Sequence, residues 1–166
     1  YVFDFPGLSY QGRSFNRITQ FTEQQTTEPY PKVLGNQELA RYIEAARRTA
    51  ADFAFGHDVL IGEMVQFYNF ALRDKVELNP EEIVIRDFLI EQGLIRLWRG
   101  FYQAMRPDVV VLAVPQTQDR KAGEPMVSAG ARYAILLHEL AHGEYYSNMH
   151  YAKFCQRFWY ETLTDN

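Results

Sequence analysis

Residues 109–114 form a short run of valine, leucine and alanine between Asp108 and Pro115. A run rich in β-branched residues between turn residues favours a buried strand, and it is the one strand that the sequence predicts. Most other apolar residues recur at helical spacing. The pattern therefore predicts a mostly helical α+β domain, residues 1–166, with a short strand before its last two helices.

The first helices are predicted from their ends. Asn36 as a cap and Gly56 as a terminator bracket a helix over about residues 37–55. Asp58 is a candidate cap for a second helix, whose apolar positions are Leu60, Met64, Phe67, Tyr68 and Leu72. Residues 1–35 show no sustained period, and the segment 28–31 carries two prolines, so we expect an irregular N-terminal segment wrapped over the domain.

The later helices follow the same signals. Asn79-Pro80 followed by two acids predicts a helix start, with Gly93 as its end, and residues 94–105 continue at helical spacing. Residues 116–126 are polar and predict a loop. A helix from about Ser128 to Tyr146, a turn at 147–148 and a last helix over 151–163 would form a hairpin at residues 128–163.

Composition excludes several classes of function. The 166 residues carry a net charge of −4 and a sequence pI of about 5.6, which disfavours nucleic acid as the partner. Apolar runs fall short of a membrane span, so we expect a soluble protein. The single Cys155 forms neither an internal disulfide nor a zinc-thiolate cluster and leaves the compartment open, including a periplasmic or secreted one. The chain starts without Met and ends in cap-type residues, so we expect an N-terminal segment to have been removed and the native chain to continue past residue 166.

The residues that carry chemistry lie in the predicted helix 128–146. His138, Glu139 and His142 form a His-Glu-x-x-His string among uncharged neighbours. Histidines four apart share one face of a helix, where both imidazoles can bind a single zinc ion. Glu139 would lie beside that ion as a general base, and zinc would lower the pKa of its water. The string predicts a catalytic zinc site that activates water.

A catalytic zinc site needs a third protein ligand, and Glu161 is the candidate. Eighteen residues separate it from His142, an interval that suits an antiparallel helical hairpin in which the carboxylate faces the imidazoles. His150 is the first alternative and a residue beyond Asn166 is another. Glu144 is a poor candidate, since two positions after His142 it lies on nearly the opposite side of the helix.

The His-Glu-x-x-His string and the spacing over residues 135–161 resemble those of the zincin metallopeptidases. A glutamate that follows the second histidine after eighteen intervening residues, here Glu161, resembles the pattern of the gluzincin branch. The resemblance implies His138, His142 and Glu161 as zinc ligands, Glu139 as general base, and a peptide or protein substrate. It also implies an edge strand beside the active-site helix to hold an extended peptide, for which residues 109–114 are the only candidate.

Two other classes of function stay open from the sequence. The first is a metal-binding or peptide-binding module that keeps the site without turnover. The second is an interaction protein that binds a partner through its aromatic surfaces, with the motif accidental. Aromatic residues at helical spacing in the last two helices, such as Tyr146, Phe154, Phe158 and Trp159, are otherwise expected to pack in the core. The sequence pattern does not predict an oligomeric state.

Overall fold

A computed structural model of the chain describes residues 1–25, 31–120 and 123–163. Its strands are β1 (Val2–Phe5), β2 (His57–Leu60), β3 (Ile95–Trp98), β4 (Phe101–Ala104) and β5 (Val110–Pro115). Its helices are α1 (Leu8–Gln25), α2 (Asn36–Ala45), α3 (Ile61–Asp74), α4 (Pro80–Glu91), α5 (Ala129–Ser147) and α6 (Met149–Phe158), and a π-helical turn follows at Trp159–Leu163. The α+β class is confirmed as a single small domain.

The predicted strand is confirmed as β5, and it is the centre of a sheet with strand order β1-β5-β2. β1 runs parallel to β5 and β2 runs antiparallel to it. Val111 and Ala113 face a core built with α1 and α3, whereas Leu112 on the other face contacts α5 at Gly143. β5 is therefore buried on both faces, and the expectation that it forms an edge strand is wrong.

Most of the described part of the N-terminal segment is regular, which corrects the prediction of irregular structure for residues 1–25, whereas residues 31–35 form no helix or strand. The segment supplies β1 and the 18-residue helix α1. α1 escaped the pattern because its buried face includes polar side chains such as Gln11, Asn16 and Arg17, each at most 1% exposed. Residues far along the chain form hydrogen bonds with several of these polar side chains. The sequence of α1 therefore lacks the helical period of apolar residues that would predict a buried helix face. Of the segment 28–31, residues 28–30 lie outside the described residues.

The two helices predicted next are found with different boundaries. α2 ends at Ala45, and Arg47 just after it adopts a left-handed φ of 56°. Asp58 lies inside strand β2 and caps no helix, which corrects that prediction. α3 begins at Ile61, where the Glu63 carboxylate accepts a hydrogen bond of 2.9 Å from the Leu60 backbone N–H.

The helix start at Asn79-Pro80 is confirmed, with the Asn79 side chain accepting a hydrogen bond from the Glu82 backbone N–H at 2.8 Å. Residues 94–105 are not helical, however, but form the antiparallel hairpin β3–β4. Its two-residue turn places Arg99 at φ 51° and Gly100 at φ 85°, the left-handed pair that a tight hairpin needs. Apolar residues at 98 and 101 fit a helix period and a cross-strand pair equally well, which explains the error.

The two predicted last helices are found as α5 and α6, with the π-helical turn at the end of the second. The Ser128 hydroxyl caps α5 by accepting from the Ala131 backbone N–H at 3.1 Å, and the Asn148 side chain caps α6. α6 and the π-helical turn bury none of their residues, so the expectation that their aromatic side chains pack in the core is wrong. Across the described ranges, no helix has the length and apolar character needed to cross a membrane.

Candidate metal centre

Helix α5 brings the imidazole rings of His138 and His142 close together. Their Nε2 atoms are 3.1 Å apart, and the rings meet edge to face with centroids 4.7 Å apart. This juxtaposition follows from the four-residue interval, which places the two side chains one helical turn apart on the same face. The expected pairing of the two imidazoles is therefore present.

The spacing of the two nitrogens is compatible with one bound ion. Two ligand nitrogens at about 2.0–2.1 Å from a tetrahedral zinc lie about 3.3 Å from each other. The 3.1 Å separation of the two Nε2 atoms is close to that value, and His138 is exposed enough to be reached from solvent. The pair fits two of the four positions around zinc.

Glu139 points away from the histidines' exposed side and toward the sheet. It is only 5% exposed and lies against Gly56, where an added Cβ would stand 2.1 Å from its Oε1 atom. Gly56 precedes strand β2, and Asp58 of that strand lies on the same face of the sheet as Leu112, toward α5. The carboxylate is therefore enclosed between α5 and β2.

This enclosure changes the acidity of Glu139. Burial raises the pKa of its carboxyl group to about 7, and the negative charge of Asp58 adds to the effect. Among the described residues, none provides a hydrogen bond that would stabilise the ionised form. A carboxyl group with a pKa near neutrality can both accept and release a proton at physiological pH.

A groove of about 410 Å³ opens beside this carboxylate. Residues of α5 form one wall and the approach to β2 forms the other; the lining comprises Phe55, Gly56, Ala134, Ile135, His138 and Glu139. The first motif histidine and the glutamate thus share one solvent-accessible space. That arrangement allows a substrate in the groove to meet both side chains.

Glu161 does not lie with this pair. It is exposed in the π-helical turn and forms an ion pair of 3.7 Å with Arg157. His150 is exposed at the start of α6, and Glu144 accepts a hydrogen bond of 2.5 Å from the Asn148 side chain. Within residues 1–25, 31–120 and 123–163, no three His, Cys, Asp or Glu side chains are grouped to hold a metal ion. The third ligand stays a prediction.

The sequence did not reveal the wall opposite α5. The pattern predicts Gly56 as a helix terminator and Asp58 as a helix cap, whereas Gly56 lines the groove and Asp58 lies within strand β2. The signal was present in the alternation of His57, Asp58, Val59 and Leu60, where the first and third residues are buried. Four residues are too few for such a period to be decisive.

Comparison of the chain with models of protein families, with curated proteins and with solved structures finds no match. The site therefore has to be interpreted from its own geometry.

Proposed function

We propose that the chain is a zinc-dependent hydrolase, in particular a metallopeptidase, in which His138 and His142 bind the metal and Glu139 is the general base. The observation that carries the proposal is the groove that His138 and Glu139 share, one helical turn from His142. Zinc bound there would supply an activated water and polarise the carbonyl group under attack.

The chain's own residues have separate tasks in this proposal. Glu139 accepts the proton of the attacking water and delivers it to the leaving amine, a double role that suits a pKa near 7. Gly56 leaves room for that carboxylate, since any larger residue would overlap it.

Strand β2 is suited to hold the substrate. Among the strands of the described residues it pairs only with β5, and it leads directly from the groove wall at Gly56. An extended peptide laid along the other side would gain backbone hydrogen bonds and pass beside His138. β2 thus takes the place in a zincin-like arrangement that the sequence assigned to residues 109–114.

The proposal is tested with the Glu139→Gln variant, using Glu144→Gln on the same helix as the matched control. Zinc content is measured by elemental analysis and hydrolysis by peptide-library digestion with mass spectrometry. We expect Glu139→Gln to retain zinc and lose hydrolysis, and Glu144→Gln to retain both. Unchanged hydrolysis in Glu139→Gln would show that this carboxylate is not the base.

A second candidate is a metal-binding or peptide-binding module without turnover. It is favoured by the finding that the described residues group two ligands and no third. In this case the wild-type chain would bind zinc and peptides but cleave none of the library. A preparation that contains no zinc would instead support an interaction protein with an accidental motif.

A further inference from the structure

The β3–β4 hairpin ends in an apolar tip that is open to solvent on both faces. Residues 96–101 are all exposed, with Leu97 at 57%, Trp98 at 51% and Phe101 at 62%. Trp98 and Phe101 form the cross-strand pair next to the turn, on one face of the hairpin. Leu97 lies on the other face, so apolar surface surrounds the tip.

The base of the hairpin is firmly anchored, so the tip is held out from the body. Ile95 is 1% exposed, and Tyr102 exchanges two hydrogen bonds with the Asn69 side chain, of 2.9 and 2.7 Å. Tyr102 pairs with Leu97, and at about 3.3 Å per residue the two positions from Tyr102 to the turn span about 7 Å. The positive φ values of Arg99 and Gly100 close this projection with a tight turn.

The tip is also cationic, in contrast to the chain as a whole. Residues 92–107 contain three arginines and no Asp or Glu, although the chain carries a net charge of −4. Arg106 pairs with Asp108, whereas neither Arg96 nor Arg99 forms an ion pair within the described part of the chain. Both guanidinium groups lie over the Trp98 ring, 5.5 and 5.7 Å from its centroid.

We infer that the hairpin tip docks on the surface of an anionic lipid membrane. Tryptophan and phenylalanine flanked by arginines match the boundary between acyl chains and negatively charged headgroups. A projection of about 7 Å beyond Tyr102 has the reach for its end to enter the 5–10 Å zone that peripheral elements occupy. Because apolar groups lie on both faces of the tip, a lipid layer can surround them, while the arginines contact phosphates.

The aromatic surface of α6 provides an internal comparison. Trp159 is 59% exposed, close to the 51% of Trp98, but its neighbourhood combines Lys153 and Arg157 with Glu161. Its net charge of +1, against +2 from Arg96 and Arg99 at the hairpin tip, gives that surface the weaker attraction to an anionic layer. Since the chain has two tryptophans, single-tryptophan variants can report on each surface separately.

The test uses the full chain with vesicles of phosphatidylcholine alone or mixed with phosphatidylglycerol. In Trp159→Phe, which retains Trp98, we expect co-sedimentation with the anionic vesicles, a blue shift of emission and quenching by brominated lipid. In Trp98→Phe, the fluorescence of Trp159 should neither shift nor be quenched. The paired variants Trp98→Ala/Phe101→Ala and Arg96→Gln/Arg99→Gln should each bind the anionic vesicles about tenfold less tightly.

Several outcomes would overturn this inference. Absence of binding to anionic vesicles would leave the hairpin as a surface for a protein partner. Binding to anionic vesicles without quenching of Trp98 would show that the arginines attract the vesicle but that the tip does not enter the lipid layer. Displacement of the protein from vesicles by a soluble polyanion such as dextran sulfate would show the same. Trp159→Ala is the matched control, and its binding should equal that of the wild type. Circular dichroism checks that each variant is folded, which exposed substitutions should not prevent.

Discussion

Gly56 lies directly against the carboxylate of Glu139, so that a Cβ at position 56 would stand 2.1 Å from Oε1, 2.6 Å from Cδ and 2.8 Å from Cγ. Contacts this short are not tolerated, and one of the two residues has to move when residue 56 is enlarged. The contact joins the strand side of the groove to the proposed base, so the two positions should be energetically coupled.

Gly56→Ala should therefore displace Glu139, reduce hydrolysis and destabilise the fold by about 1–3 kcal/mol, without removing zinc. Urea unfolding and peptide digestion measure the two effects. Gly130→Ala in the first turn of α5, where the nearest atom to an added Cβ is 4.0 Å away, is the control and should not be destabilised. In the Glu139→Ala background, Gly56→Ala should lower the free energy of unfolding by less than it does in the wild type. If the effects of the two substitutions on stability were strictly additive, the contact between residues 56 and 139 would be contradicted.

Zinc should raise the unfolding temperature of the wild-type chain if the two imidazoles hold it. At a zinc concentration one hundred times the Kd, the stabilisation would be about 2.7 kcal/mol. His142→Ala should lose it, and comparison of Glu161→Ala with His150→Ala would identify the third ligand. Identical zinc stabilisation in wild type and His142→Ala would place the metal elsewhere.

His57 should make the fold sensitive to acid. It lies on the opposite face of β2 from Asp58, buried against Phe15 and hydrogen-bonded through Nδ1 to the Thr19 hydroxyl at 2.8 Å, and burial lowers its pKa to about 3. Above its unfolded pKa of about 6.5 both states are neutral at this residue. As the pH falls below that value only the unfolded chain takes up the proton, so stability is lost, by up to about 1.4 kcal/mol per pH unit.

Urea unfolding between pH 7 and pH 4, with His57→Phe compared against wild type, measures that contribution. The variant should lose less stability over this range than the wild type does. Equal pH dependence in the two proteins would mean that His57 is protonated in the folded state as readily as in the unfolded chain.

Arg17 and Glu82 form a buried ion pair between α1 and α4, with the Arg17 Nε atom 2.8 Å from Glu82 Oε1. Burial raises the pKa of Glu82 even though Arg17 lowers it. Arg17→Met should cost about 3–5 kcal/mol in urea unfolding, because it leaves a buried carboxylate without its partner. Removing Lys32 from its exposed pair with Glu38 should cost less than about 1 kcal/mol, and similar costs for both pairs would contradict this prediction.

The sequence predicted what local interactions determine. The start of α4 at Asn79, the start of α5 at Ser128 and the His138–His142 pair each depend on groups within four residues of one another. β5 was predicted because a strand buried on both faces leaves a continuous apolar run.

The errors fall where distant residues decide the structure. α1 buries polar groups whose partners lie far along the chain, as Arg17 and Glu82 do at a separation of 65 residues. β2 is a strand because it pairs with β5, 50 to 56 positions later in the chain, and its four residues alone do not indicate that pairing. The wall of the groove and the environment of Glu139 depend on these same long-range contacts.

The polar face of α1 also positions the residues that lie against Glu139. The Gln11 side chain donates to the Phe55 carbonyl at 3.1 Å, and the Asn16 side chain donates to the Ala50 carbonyl at 2.8 Å. These amides tether the stretch that ends at Gly56, and so set how closely it can approach Glu139. Through these two hydrogen bonds, the N-terminal helix holds Gly56 in place against Glu139, the residue that we propose as the base.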